Sequence, residues 1–420
     1  MRNVSHLAIA ALTLSVSLAG SAYAADPIKV GVTVTQSPPG SVVQGTQVKD
    51  GLEVVAKMLN DQGGVLGRPI ELVVEDTQGL PEKARAAVEK LITRDKVVAI
   101  VGEHQSSNVL AGMEVAHRYH VPYINTNGWA DAIREKGYPE VFNPNNYNRR
   151  VAMAAADSIK KLGAKKVVAF AENTDYGIGL AKGIAEQLKA VAPDISYRFD
   201  TLDRAAKDYL PAILPLRSDP PDVVVDIMLP PAAYIMMNQV YEQGIAPSAK
   251  TWFYDASGLA DYPDFWQNVK EAGKGLLVFG LYHPKMAQPP LGKQVGDAYT
   301  AKTKNQPNRL LFQAADSLLV IADAAKRAKS TDADALIKAL DLGAASGPHY
   351  IALTADEKRL VVSDYFLNED NFGKVHAEGD HKVHVAKVTT NDLVLDLRFD
   401  LDFNVAFATG PARPHGVAIK

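Results

Sequence analysis

The residues able to do chemistry gather in loops that follow short apolar runs. After Val101-Gly102 the chain reads Glu103-His104-Gln105-Ser106-Ser107-Asn108. At the start of a helix, Ser106 and Ser107 set two hydroxyls beside free backbone N–H groups, which is an anion site or, alternatively, a plain N-cap worth about 1 kcal/mol. A second loop, Asn125-Thr126-Asn127-Gly128-Trp129, sends amide, hydroxyl and indole out together, unless it is only a capped turn with a packed ring. A third, Asn173-Thr174-Asp175-Tyr176-Gly177-Ile178-Gly179, repeats the arrangement and offers Tyr176. With Gly183 it reads G-x-G-x-x-x-G. The dinucleotide fingerprint has its third glycine one residue earlier and follows the first strand of its unit, so no nicotinamide cofactor is expected.

His376, His381 and His384 lie close to Glu378 and Asp380, a set that could supply zinc ligands. In a β-like segment, residues three apart face opposite sides, so the competing reading is a solvated hairpin and no metal is expected. His117 and His120 fall at a helix C-terminus, where the dipole favours positive charge without any ligand. Gly-x-Ser-x-Gly, His-Glu-x-x-His and phosphate-loop patterns are all missing, so an enzyme has no constellation to rest on.

These loops need a scaffold, and the sequence supplies a repeating one. β-Branched apolar runs at 28–34, 70–75, 97–102 and 122–125 alternate with helical-period segments at 44–59, 81–94 and 107–119. Val48, Leu52, Val55 and Leu59 recur at three to four residues, as one buried helix face requires. After a Pro/Asn-rich break at 138–147 the alternation restarts. Helices are expected at 149–162, 179–191 and 232–243, with strands at 166–171, 195–200, 222–227 and 251–254. A strand at 276–279, helices at 292–303 and 312–328 and β-like segments from His349 complete the chain. The predicted class is α/β, with two doubly wound lobes whose ligand site lies outside the carboxyl ends of the strands.

Compartment and partners follow from composition. Arg2 and His6 precede an uncharged run at 7–19, and Ala22-Tyr23-Ala24 supplies a small-x-small cleavage site, so a signal peptide over 1–24 and a periplasmic location are expected. The run is too short to span a bilayer, which argues against membrane insertion. There is no cysteine, hence no disulfide, thiolate metal site or lipidated cysteine anchor. Lys+Arg 45 against Asp+Glu 48 leaves a net charge of -3 with no block of like charge, which argues against nucleic acid. A monomer binding a small molecule is the expectation.

Particular residues also carry a resemblance. Ile28-Lys29-Val30-Gly31-Val32, the stretch Leu59-Asn60-Asp61-Gln62-Gly63-Gly64-Val65-Leu66-Gly67-Arg68-Pro69-Ile70, Glu75-Asp76-Thr77, Val121-Pro122-Tyr123 and Asp175-Tyr176-Gly177 are similar to the leucine/isoleucine/valine-binding family. The resemblance covers about 28–254 well and the last third loosely. It implies a type I periplasmic binding fold serving an ABC transporter permease. It also implies one lobe from 25–146 plus about 280–350, a second from 147–279 plus about 351–400, and a tail at 401–420.

In amino-acid-binding members, the positions matching Ser106 and Asn127-Gly128-Trp129 hold the ligand's carboxylate and amino groups, and Tyr176 matches a tyrosine from the second lobe. The acid that meets the ammonium corresponds to Ala256, with Asp255 one position earlier. Trp129, Tyr176 and Leu229 are expected to wall the ligand body, and Gln44, His104 and Ser107 to add polar contacts. The expected ligand is a small carboxylate, either an amino acid or a related aromatic or aliphatic acid. Transport is the leading reading; a periplasmic sensor of the same fold is the alternative, ahead of an exported enzyme.

Overall fold

The computed structural model describes residues 26–341 and, beyond them, the backbone of six strands between Pro348 and Asp402. The expected signal segment, and the side chains of His376, His381 and His384, lie outside the described residues. In the first lobe the order is β1 (Ile28–Val34), α1 (Val42–Asp61), β2 (Ile70–Asp76), α2 (Pro81–Thr93), β3 (Ala99–Gly102), α3 (Ser106–Arg118), β4 (Tyr123–Asn125), α4 (Ala132–Glu135) and β5 (Val141–Phe142). The second lobe runs α5 (Asn148–Lys161), β6 (Lys166–Glu172), α6 (Asp175–Val191), β7 (Ser196–Leu202), α7 (Leu210–Ile213), β8 (Val223–Ile227), α8 (Ala232–Glu242), β9 (Trp252–Asp255), α9 (Phe265–Val269) and β10 (Leu277–Val278).

Both sheets are parallel, and their orders match: β2-β1-β3-β4-β5 in one and β7-β6-β8-β9-β10 in the other. Strands β3 and β8 are buried along their whole length, which is why Ala99-Ile100-Val101 and Val223-Val224-Val225 read as continuous apolar runs rather than alternations. In this order the connections reverse direction between β1 and β3 and between β6 and β8, leaving a crevice at the carboxyl ends of each sheet. The two crevices face each other.

After β10 the chain returns through α10 (Pro290–Thr303), α11 (Arg309–Ala328) and α12 (Ala333–Leu340), and α11 lies along α1. Gly51 permits that approach, since a Cβ there would sit 3.0 Å from the Leu311 carbonyl oxygen. Helix α11 starts three residues before its expected position because Asn308 caps it, accepting from the Leu311 N–H at 3.1 Å. The sequence reading missed α12, whose apolar stripe is short; Asp332 caps it by accepting from Asp334 and Ala335. Strands β11 (Pro348–Leu353), β12 (Arg359–Asp364), β13 (Phe366–Glu369), β14 (Val375–Glu378), β15 (Lys382–Val388) and β16 (Leu393–Asp402) pair with one another, antiparallel throughout.

Helix α6 begins four residues earlier than expected. Thr174 caps it by accepting from the Gly177 N–H at 3.2 Å, and a Cβ on Gly177 would lie 2.2 Å from the Glu172 carbonyl oxygen. That glycine allows a tight strand-to-helix turn.

Candidate ligand-binding site between the lobes

A small inner cavity is lined by Gln44, His104, Asn127, Trp129, Tyr176, Leu229, Ser257 and Arg309. The first turn of α1 and the loops after β3 and β4 contribute from one side, the first turn of α6 and the loops after β8 and β9 from the other, and one residue comes from the start of α11. Trp129 and Tyr176 meet edge to face with ring centroids 6.1 Å apart, and Phe279 closes on Trp129 at 6.2 Å. The Trp129 indole N–H donates to Asn127 Oδ1 at 3.0 Å, which fixes the ring plane. Tyr176 shares a 2.9 Å hydrogen bond with Ser257 Oγ, and burial pushes its phenol well above the ordinary range, so it stays protonated.

Arg309, at the first turn of α11, is a cation that sequence reasoning passed over. It is 4 % exposed and reaches across to the second lobe, donating to the carbonyls of Gly258 and Ser257, the Tyr262 hydroxyl at 2.7 Å and Asp261 Oδ1 at 3.1 Å. Its guanidinium lies 5.3 Å from the centroid of Trp129 and 5.0 Å from that of Tyr262. Burial opposes its charge, but Tyr262, Asp261 and Asp255 more than offset that. An arginine here also works against the helix dipole, which favours anions at an N-terminus. Its placement therefore answers to the cleft rather than to its helix, and that conflict was the available sequence signal.

Behind the inner cavity lies a buried acid. Glu103 accepts from Thr77 Oγ1 at 2.5 Å, Asn108 Nδ2 at 3.2 Å and, more loosely, Thr35 Oγ1 at 3.3 Å. Burial pushes its carboxyl up to about 7, against these hydrogen bonds. His104 Nδ1 lies 3.1 Å from Glu103 Oε1. Burial, with the charge of Arg204, pushes the imidazole down to about 3, so the ring is neutral and this close approach is not an ion pair.

An outer chamber of about 160 Å³ adjoins the inner one through Tyr176 and Leu229, lined also by Gln105, Ser106, Ser107, Glu172 and Arg204. Bonds between the lobes ring it and its neighbour. Ser107 Oγ donates to Asp175 Oδ2 at 2.6 Å, Arg204 Nη2 to the Gly79 carbonyl at 2.6 Å, and Gln44 Nε2 to the Tyr262 hydroxyl at 2.6 Å. The lobes are thus closed on one another.

The structure sorts the expected residues. Gln44, His104, Asn127, Trp129, Tyr176 and Leu229 line the inner cavity, and Ser106 and Ser107 line the outer chamber. Ser106 Oγ accepts from the N–H groups of Trp129 and Ala130, both at 3.0 Å, so it anchors the aromatic loop. Gly128 and Asp255 line neither chamber among the described residues. Gly128 completes a turn closed by Asn125. Asp255 is fully buried, and its oxygens accept from Ser257 N at 2.8 Å, Gly258 N at 3.0 Å and Leu259 N at 2.6 Å. It organises a turn instead of facing a ligand.

Ser257, Arg309, Glu172 and Arg204 were missed as lining residues. Ser257 stood in a segment read only for its acid, and the other three carried no motif. His117 and His120 have more than a helix end: both hydrogen-bond Glu140, at 2.7 and 2.6 Å, and His120 also reaches Asp334. Among the described residues no group of three or more His, Cys, Asp or Glu side chains could hold a metal, and no helix is long and apolar enough to cross a membrane.

Two parallel-sheet lobes closed over a cavity at their facing carboxyl ends define a type I binding protein, a class that captures ligands rather than transforming them. Residues 27–360 match the periplasmic binding protein family, and the chain belongs to that family. It is 29% identical over 256 residues to Leu/Ile/Val-binding protein homolog 7 of Brucella suis, with 57% of this chain and 61% of that one aligned. The match thus spans about three-fifths of that relative's length. A branched-chain amino acid transporter substrate binding protein from Streptococcus pneumoniae, solved with isoleucine, superposes with a TM-score of 0.68 at 24% identity, covering 86% of this chain and 100% of that one. An ABC transporter solute binding protein from R. palustris, solved with benzoate, gives 0.66 at 19% identity over 88% and 95%. At these identities the structures show the shared fold.

Proposed function

We propose that this chain is the periplasmic solute-binding component of an ABC importer. Its signal peptide is removed near Ala24, and its lobes close on a small organic acid that is handed to a membrane permease. The observation that carries the ligand class is the polarity of the inner cavity. Arg309 brings a buried positive charge, while none of the described lining residues is acidic. An α-amino acid needs a counter-charge for its ammonium, and Asp255 is committed to three backbone N–H groups. Trp129, Tyr176 and Leu229 offer an apolar slot instead, which favours aromatic or aliphatic acids without an amino group. Relatives of this fold solved with benzoate, 4-hydroxybenzoate and 3,4-dihydroxy benzoic acid support the same reading.

The packing of α11 on α1 supports assigning the return helices from Pro290 to the lobe formed by 25–146, with 147–279 forming the other. A thermal-shift screen tests the ligand class. Benzoates and aliphatic acids should raise the melting temperature, and stabilisation by leucine, isoleucine or valine alone would reject the reading.

A further inference from the structure

Arg309 and Arg204 both reach the space between the lobes, and they are engaged differently. Both terminal nitrogens of Arg309 are taken by protein: Nη1 donates to the Gly258 carbonyl and Asp261 Oδ1, and Nη2 to the Ser257 carbonyl and the Tyr262 hydroxyl. Its fork is therefore closed to a ligand carboxylate. The inner cavity that it lines holds about 10 Å³, the space of one water. The outer chamber is roomier at about 160 Å³, and Tyr176, Leu229 and Pro81 give it an apolar wall. An acid seated there needs its counter-charge there.

Arg204 is the cation of that chamber. It stands half-buried on the loop after β7 and lines the chamber from the second lobe. Among the described residues its hydrogen bond runs from Nη2 to the Gly79 carbonyl at 2.6 Å, across the cleft. That bond holds the guanidinium over the chamber and leaves Nη1 and Nε to other acceptors. Glu172, the acid in the same lining, does not take them. Its oxygens accept from Thr174 Oγ1 at 2.7 Å and the Leu229 N–H at 3.0 Å, and among the described residues no ion pair joins it to Arg204. From the first lobe, Ser106 Oγ already accepts two N–H groups, which leaves its own proton for an acceptor in the chamber.

We infer that Arg204 grips the ligand's carboxylate in the outer chamber, with the Ser106 hydroxyl on the opposite lobe, while Arg309 serves as a clasp between the lobes. The inference rests on the organic-acid reading and gives the acid group its place. Bonds from a guanidinium to a carboxylate are about twice as strong as neutral ones. Arg204 belongs to one lobe and is steadied by the Gly79 carbonyl of the other, so its grip is complete only in the closed protein. The charge of the ligand thereby favours closure.

The test titrates benzoate against benzamide, and isoleucine against isoleucinamide, by calorimetry, so that each carboxylate is compared with an amide of nearly the same shape. Whichever acid binds should be favoured over its amide by about tenfold or more in the wild type. In Arg204→Met that ratio should fall to about twofold or less. The variant also loses the bond to Gly79, but that loss weakens acid and amide alike and leaves the ratio as it was. Ser107→Ala is the control: it cuts another bond between the lobes, to Asp175, without removing a charge, and should keep the full ratio. A ratio unchanged in Arg204→Met, or lost equally in Ser107→Ala, overturns the inference. Binding of isoleucine and not benzoate sinks the organic-acid reading, while the isoleucine ratio still decides the role of Arg204. Binding of neither acid overturns both.

Discussion

Replacing Arg309 with methionine keeps a long unbranched stem and removes only the guanidinium. In the closed protein this strips one donor set from Gly258 O, Ser257 O and the Tyr262 hydroxyl and leaves Asp261, 17% exposed at its side chain, without its cation. Removing one partner of a buried ion pair costs about 3–5 kcal/mol. The donors come from a helix seated on the first lobe and the acceptors from the second. When the lobes part, water replaces the lost bonds. The penalty therefore falls on closure and not on the fold of either lobe. Each 1.4 kcal/mol is about a factor of ten, so affinity for 4-hydroxybenzoate should drop between about a hundredfold and a few thousandfold. Calorimetry measures that drop. Small-angle scattering of the unliganded variant should show a larger radius of gyration than the wild type, because closure is what has been weakened. Affinity within threefold of wild type together with an unchanged scattering curve would refute the reasoning.

Ser106→Ala leaves the N–H groups of Trp129 and Ala130 without their acceptor, so chemical denaturation without ligand should show a loss of about 2–3 kcal/mol; an unchanged midpoint would remove its anchoring role. Ser107→Ala cuts a more exposed contact with Asp175 and should weaken ligand binding less than tenfold; a hundredfold loss would mean direct ligand contact instead. The pH dependence of stability has a definite sign. Burial raises the carboxyls of Glu103 to about 7 and Asp255 to about 6, so the folded state takes up these protons before an unfolded carboxyl does near pH 4. His120 is raised by Asp334 and then Glu140, so its contribution is fully present below the unfolded value and fades as pH rises through the folded one. Both effects favour a higher melting temperature at pH 5.5 than at pH 8.5, and His104, whose imidazole burial lowers to about 3, offsets them in part. A flat or opposite profile would contradict the burial argument.

Strand and helix positions were readable because parallel strands covered on both faces leave unbroken apolar runs, and Ile28–Val34 matched its expected span to the residue. The helix starts were less legible. Thr174 and Asn308 cap α6 and α11 ahead of their apolar periodicity, so counting apolar positions placed both starts late. Loops after strands gave most of the inner cavity, since the carboxyl ends of a doubly wound sheet are where side chains converge. Arg309 escaped because it comes from a helix start far along the chain, outside any strand-end loop. Asp255 was misplaced for the opposite reason: it stands at a strand end, but its neighbours' backbone N–H groups claim its oxygens, and only coordinates reveal such a bond.

The route of the chain also orders its assembly in time. A polypeptide emerging amino end first has all ten strands of the two lobes by Val278, including the aromatic walls of the cavity. Arg309 arrives some thirty residues later, on the return leg. Until then the Ser107–Asp175, Arg204–Gly79 and Gln44–Tyr262 bonds hold its jaws together, so a partly made chain should hold solute more weakly than the finished one. The strongest clasp thus belongs to the return leg of the chain, not to the two lobes that it joins.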